Sequence, residues 1–562
     1  MTKLRIIQVA LACAFASYAY AADVYVRTGA TGTGDGSNWT NAYTQVQAAI
    51  TACARGDTIY VAAGTYDALT LSKATNGTLR ITIKKATVSS HGTDVGWHPS
   101  YADGQFAPGH PLTITSGYWT IDGQEGTGFD PSSYGILLSK RSTATSPSNL
   151  VQIGTGTQNI AGLEFRYVAA VNWDNNYDIE KIAWNQSGQA TVTNITWSHI
   201  YTRYGQNSIK LLGVNTATIE YLFVEDPFSS AAHHGEVVNI RSLFSQPSQN
   251  ITVRYSEIRE WVGTGCIVFN NATSNDYAGD GVYIYGNTLG PCGDASGGNG
   301  YVTSTSGAYA TDVFVYSNTL IGDDGVNPPW LAMRNSTGAA GSNLVARNNV
   351  LFNLDASVVN AGAATWDTDY NAYFSCSDVP TETHSVVASG NPFVDSANWD
   401  LRLVGGSSAI DAGVALESTY AIDAAGNTRG EDGTWDIGAL EHQSGTTSPD
   451  APTLTSATAQ TSYSVALSLA AAGTGTAATS LRIERSTTSG SGFVEVASVA
   501  ADATSYTDGV PTADRTYFYR VRARNAGGDS AYTSEVSAST PAASGSSGPT
   551  TSRGRGAVLF RR

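Results

Sequence analysis

Charged side chains are scarce in this chain, 14 % of 562 residues, and the basic ones are the scarcer kind: 31 Lys and Arg against 47 Asp and Glu, a net charge of −16. Phosphate binding needs a basic footprint, so nucleic acid is excluded as the main partner. An anionic ligand would need a local cationic patch or a bound cation. Long apolar runs are missing as well. Residues 6–15 fall well short of the ~20 that span a bilayer, and no other segment is long enough, so no membrane span is expected in the mature chain. Cysteine numbers only 5. Apart from Cys13 these are Cys53, Cys266, Cys292 and Cys376, an even set that permits disulfides, with Cys266 and Cys292 the pair to test first. Their spacings fit no zinc motif. Helical periodicity is absent beyond the first 60 residues. Aromatics, at 10 %, are too many for a disordered chain.

What is present at the N-terminus is Lys3 and Arg5, the apolar stretch 6–15 and Ala19-Tyr20-Ala21. A charged region, a short apolar region and an A-x-A site read as a secretory signal peptide over residues 1–22. The mature protein is therefore expected to be secreted or held at the cell surface.

Repeats organise the rest. "NITVRYSEI" (250–258), "GVYIYGNTL" (281–289), "DVFVYSNTL" (312–320) and "NLVARNNVL" (343–351) resemble one another, and Arg254, Tyr285, Tyr316 and Arg347 step by 31 residues, as do Asn287, Asn318 and Asn349. Shorter-spaced copies, "NITWSHI" and "TATIEYLFV", precede them. Each copy alternates and is rich in Ile, Val, Thr and Tyr, which predicts a strand. A second strand follows in each unit: "SIKLL", "VVNIR", "GCIVFN", "YVTS" and "WLAMR". A unit of two or three strands cannot bury its own apolar face, but stacked copies can, at ~4.8 Å per coil. A propeller blade would need four strands over about 40–50 residues. The recurring asparagine predicts a ladder of side-chain amides between coils. An amphipathic helix over 43–54, with Val46, Ala49, Ile50 and Cys53 on one face, would close the open end.

The stretch "VYVRTGATGTGDGSNWTNAYTQVQAAITACARGDTIYVAAGTY" (24–66) resembles the entry to right-handed parallel β-helix proteins of the pectate-lyase-like superfamily. "NPFVDSANWDLRLVGGSSAIDAG" and "DIGALEHQ" resemble the closing segment of exported β-helix proteins with variable C-terminal anchors. Residues 449–541, with "SLRIERSTTSGSGFVEVASV" and "TYFYRVRARNAGGDSAYTSEVSAST", resemble a fibronectin type III domain, although "VALSLA" stands where that family's early core Trp is expected. The expectation is an all-β protein: a signal peptide (1–22), a right-handed parallel β-helix with an N-terminal capping helix (23–445), a fibronectin type III sandwich (446–541) and a disordered tail (542–562).

Alternation within the second strands turns Lys210, Asn239, Arg241, Asn270 and Arg334 away from the core. Stacked, they make a polar, cationic stripe on an acidic protein. The connection "EDPFSSAAHHGE" sets Glu225, Asp226, His233, His234 and Glu236 at its edge, and Glu236 has the parity of Val238 and Ile240, so it is expected half-buried. Such a set suits β-elimination on a uronate-containing polysaccharide. Lys210 or a histidine would take the proton α to the carboxylate, and Arg241 would neutralise the developing dianion. Glu225, Asp226 or Glu236 could hold Ca²⁺. Lyases of the superfamily use basic residues and often Ca²⁺, so the resemblance implies this class too. The catalytic candidates are Lys210, His233, His234, Glu236 and Arg241. Asn239, Asn270 and Arg334 would bind substrate, and Glu225 and Asp226 the metal. The alternatives are a non-catalytic glycan-binding or adhesion protein, using some of its 11 Trp and 29 Tyr, and a glycoside hydrolase, for which Asp323-Asp324 is the adjacent acid pair. A monomer acting on polysaccharide or a cell-surface glycan is expected.

Overall fold

The computed structural model describes residues 21–542 except 141–148, 155–158, 173–181, 185–190, 204–206, 226–234, 243–245, 260–264, 271–276, 292–299, 306–307, 323–328, 333–340, 360–364, 444–447, 471–477, 511 and 526–527. Most of the expected signal peptide and of the tail thus lies outside the described residues.

The chain winds into a parallel β-helix. Val192–Arg203 pairs in parallel with Ile160–Asn172 on one side and Val214–Glu225 on the other. Ser248–Arg254, Tyr277–Tyr285, Tyr309–Tyr316, Leu344–Arg347 and Trp366–Asp369 continue the stack. A second wall runs through Glu257–Arg259, Thr288–Leu289, Thr319–Ile321, Val350–Phe352 and Ala372–Phe374. A third is a separate six-stranded sheet. The inward rows merge into one core, which runs from Val26 to Tyr373. The helix Val46–Ala52 is shorter than the sequence suggests, but Val46, Ala49 and Ile50 are buried at the N-terminal end of that core.

Single residues in the left-handed region make the bend between the first two walls. Tyr167, His199, Tyr221 and Tyr255 have φ of +56°, +56°, +51° and +53°. For a non-glycine residue this conformation costs about 1–2 kcal/mol. The rings offset it by stacking along the helix axis: centroids are 4.6 Å apart for Tyr167–His199, 4.6 Å for His199–Tyr221 and 5.7 Å for Tyr221–Tyr255, and aromatic pairs contribute about 0.5–1.5 kcal/mol each.

The expected amide ladder is present. Asn287 Nδ2 donates to Asn318 Oδ1 at 3.0 Å, Asn318 to Asn349 at 3.0 Å, and Asn349 to Asn371 at 2.9 Å. Each Oδ1 also accepts the backbone N–H of the preceding rung. Ser256 begins the column by donating its N–H to Asn287 Oδ1 at 3.0 Å, and Glu382 ends it by accepting from Asn371 Nδ2 at 2.9 Å.

A closing segment packs over the last coils. Phe393, Leu401, Leu403 and Ile437 cover Ile321, Val350 and Phe374. Within it Arg429 and Glu441 form a buried ion pair at 3.2 Å. Glu441 also accepts the Gly430 N–H at 2.7 Å, and Asp436 and Asp423 lie alongside. Burial, with Asp436 adding to it, pushes the Glu441 carboxyl up to about 7 against the pull of the Gly430 amide and Arg429. A carboxyl with a raised folded-state pKa holds its proton more tightly when folded. Its contribution to stability is therefore full below about 4.5 and is lost as pH rises through about 7. The denaturation midpoint of the β-helix should fall across that interval. In Glu441→Gln that fall should vanish.

The C-terminal unit is an antiparallel sandwich. Thr453–Thr461, Ser464–Ala470 and Ser505–Gly509 form one sheet; Ser480–Ser486, Val494–Ala500, Thr516–Asn525, Gly528–Asp529 and Val536–Ser539 form the other. Where a core Trp was expected, Val465 and Leu467 fill the interior with Leu481, Ile483 and Val521. The Tyr517 hydroxyl donates to the Thr512 carbonyl at 2.9 Å, which pins the corner before its strand, as in fibronectin-like sandwiches.

Candidate functional site

The six-stranded wall is made of Asn207–Leu212, Glu236–Arg241, Gly265–Asn270, Gly300–Ser304, Leu331–Ala332 and Val358–Val359. Ile209, Val238, Ile267, Val302 and Leu331 stack in register, all in the core. The next row, one residue on, holds Lys210, Asn239, Val268, Thr303 and Ala332. Two residues further, Arg241 stacks between Leu212 and Asn270. Lys210, Asn239, Arg241 and Asn270 therefore share the outer side of one wall, as alternation predicts.

Two expectations are corrected here. In successive coils two consecutive residues reach the core: Val237 with Val238, Cys266 with Ile267, Tyr301 with Val302, Trp330 with Leu331. Neighbours in a regular strand face opposite sides, so each strand bends at this point and the residue before the pair turns outward. Glu236, expected to share the parity of Val238, is thus on the outer side, where Asn270 Nδ2 donates to its Oε1 at 3.2 Å. Asn207 turns out in the same way and accepts from Asn239 Nδ2 at 2.8 Å. The Thr305 hydroxyl donates to Asn270 Oδ1 at 3.1 Å. The second correction concerns exposure: Glu236, expected half-buried, is 3 % exposed, and on the outward stripe Lys210 is 8 % and Asn239 2 % exposed. Arg241 and Asn270 keep intermediate exposure. A lysine and a glutamate are rarely buried on adjacent strands for stability alone, because desolvating charge costs several kcal/mol per ion; their presence here marks a candidate site.

Asp226, His233, His234 and Arg334 lie outside the described residues, as do Asp323, Asp324 and Cys292, the proposed partner of Cys266. Cys53 and Cys376 carry free thiols. Glu225 is on a different wall. It ends the strand Val214–Glu225 and accepts the Tyr201 hydroxyl at 2.7 Å; burial and then this carboxylate push the Tyr201 phenol far above its ordinary pKa. A calcium cage takes about 6–8 oxygen ligands. Among the described residues no three acidic, histidine or cysteine side chains converge as such a site needs, and Glu225 and Glu236 are committed to different neighbours. Asp226, the other acid expected to hold Ca²⁺, lies outside the described residues.

A second feature went unseen in the sequence. On the wall of Glu225, the register aligns Arg203, Glu225 and Arg259 in a row of alternating sign. Arg259 Nε donates to Glu257 at 2.6 Å, and its guanidinium lies 4.0 Å from the Phe129 ring and 5.1 Å from that of Trp399. Burial pushes the Glu257 carboxyl up, opposed by Arg259. A cleft of about 470 Å³ opens beside it, lined by Phe223, Tyr255, Glu257 and Trp399 and, across from them, Arg482 and Arg524 of the sandwich. The only local signal was "EIRE" closing a repeat; the aromatic partners come from remote segments.

No family model matches the chain, and no curated protein matches it. Among solved structures it is similar to a family 28 exopolygalacturonase from Yersinia enterocolitica, at 15 % identity over 68 % of this chain and 69 % of that one, TM-score 0.30. It is also similar to a Fn3-like protein from Clostridium thermocellum, at 28 % identity over 17 % of this chain and 97 % of that one, TM-score 0.15. A β-1,2-glucanase from Parabacteroides distasonis matches at 24 % identity over 19 % and 15 % of the respective chains, TM-score 0.16. These likenesses assign no residue a role; the parallel β-helix followed by an antiparallel sandwich stands on the strand register above.

Proposed function

We propose that this is an exported protein that acts on an acidic polysaccharide, cleaving it by β-elimination on the outer side of the six-stranded wall. The observation that carries the reading is the placement of Lys210, Glu236, Asn239, Arg241 and Asn270 on three adjacent strands of one wall, with Lys210, Glu236 and Asn239 buried and two hydrogen bonds, Asn239 to Asn207 and Asn270 to Glu236, tying neighbouring strands together. Lys210 takes the proton α to the uronate carboxylate. The C–H electron pair passes to the carboxylate, where Arg241 stabilises the developing dianion. It then forms the carbon–carbon double bond as the glycosidic C–O bond breaks, and the departing oxygen takes up a proton. Glu236 and the asparagines hold the wall rigid and present amides to sugar hydroxyls. His233 and His234 adjoin Glu236 in sequence and are the reserve candidates for the base.

The full chain incubated with polygalacturonate, alginate or a glycosaminoglycan should release unsaturated-uronate absorbance. New reducing ends without that absorbance would make it a hydrolase and remove the elimination chemistry. Binding without product would make it an adhesin.

A further inference from the structure

We propose that the cleft between the β-helix and the sandwich is a separate binding site for a carboxylate-bearing saccharide. The proposal rests on the reading of the chain as polysaccharide-active, but it uses none of the residues of the six-stranded wall. The cleft's volume, about 470 Å³, suits a short saccharide, since ligand pockets run to about 300–1,000 Å³. Its helix side offers aromatic faces from Phe223, Tyr255 and Trp399, against which the C–H faces of a sugar ring pack. Its sandwich side offers Arg524, whose planar fork matches a carboxylate, with Arg482, already paired to Glu495, beside it.

The charges favour an anion. Glu257 in the cleft is neutralised by Arg259 at 2.6 Å. Of the sandwich acids, Glu495 is held by Arg482 at 3.4 Å and Asp529 by Arg522 at 3.0 Å, leaving Arg524 at 3.8 Å from Asp529. Burial lowers the Arg524 pKa, and the like charges of Arg482 and Arg402 lower it further, against Asp529 and Glu495. A bound carboxylate would relieve that crowding. Neither half suffices alone, because the aromatic faces belong to the helix and the guanidinium groups to the sandwich.

The test uses the full-length Lys210→Met chain, so that the probe is not consumed. A de-esterified oligogalacturonate should bind calorimetrically, and its methyl ester, which keeps the ring and loses the charge, should bind at least about tenfold more weakly, the scale of one charge-assisted hydrogen bond. Arg524→Ala should weaken the acid form by a similar factor and leave the ester unchanged. Thr288→Trp, which fills the cleft from the helix side, should remove the calorimetric component that Arg524→Ala weakens and leave only binding at the six-stranded wall. Equal affinity for acid and ester, or undiminished binding by both variants, would overturn the proposal. Cleft binding by a parent chain that yields no product would instead sink the elimination chemistry and leave this site standing.

Discussion

Lys210→Met should lower the rate of unsaturated-uronate formation by about 10²–10⁴-fold, the usual worth of a positioned general base. Methionine is the informative replacement because it keeps the apolar stem that packs in the wall, where only 8 % of Lys210 is exposed, and removes only the amine. A cavity-forming alanine would mix lost chemistry with lost packing. Arg241→Ala should cost about 10²–10³-fold by removing dianion stabilisation. Arg241→Lys should restore part of it, since the charge returns but not the fork. The pair distinguishes roles: with Lys210→Met the defect should diminish as pH is raised only if another base takes over, whereas Arg241→Ala should be weak at every pH. Full activity in a folded Lys210→Met chain would dismiss Lys210 and move the search for the base to His233 and His234.

Asn318→Ala should destabilise the β-helix by about 3–6 kcal/mol, since it leaves several buried groups short of partners at about 1–3 kcal/mol each. The fully buried Asn318 accepts from both the backbone N–H and the Nδ2 of Asn287, and donates to the Ile284 carbonyl and to Asn349 Oδ1. A side chain that only filled space would cost far less to trim. Asn318→Asp separates the two ideas. It preserves volume and the acceptor, but points a second oxygen at the Ile284 and Asn349 oxygens, so it should be at least as damaging near neutrality and partly recover when protonated. Guanidinium unfolding measures the loss. Hydrogen exchange should localise it to the coils around 287–349, because each coil contacts only its neighbours.

The coils were legible because their period is written in single residues. The 31-residue step of Asn287, Asn318 and Asn349 is the ladder itself. The ladder's next rung, Asn371, follows after 22 residues and so escaped the period. Glu236 was placed on the wrong side because alternation assumes a straight strand, and nothing in "GEVVNI" announces that two valines in succession turn inward. Lys210 and Arg241 share one wall, as alternation predicts, but the burial of Lys210 was not legible in its own strand. The Arg259 site was invisible for another reason: Trp399 lies 140 positions downstream of Arg259 and arrives through the closing segment.

The asparagine column has a direction. Every rung from Ser256 onward gives its backbone N–H toward the C-terminal end, and each asparagine sends an amide hydrogen the same way while also donating back to a carbonyl of the coil before; the last recipient is the Glu382 carboxylate, which needs to give none. A whole coil inserted between 287 and 349 would therefore find a matching donor below and a matching acceptor above, while a coil appended past Glu382 would meet a terminator. Such a molecule lengthens by duplication in its interior, with both ends conserved as lids, and relatives that differ in reach should differ in the number of middle rungs rather than in where the column stops.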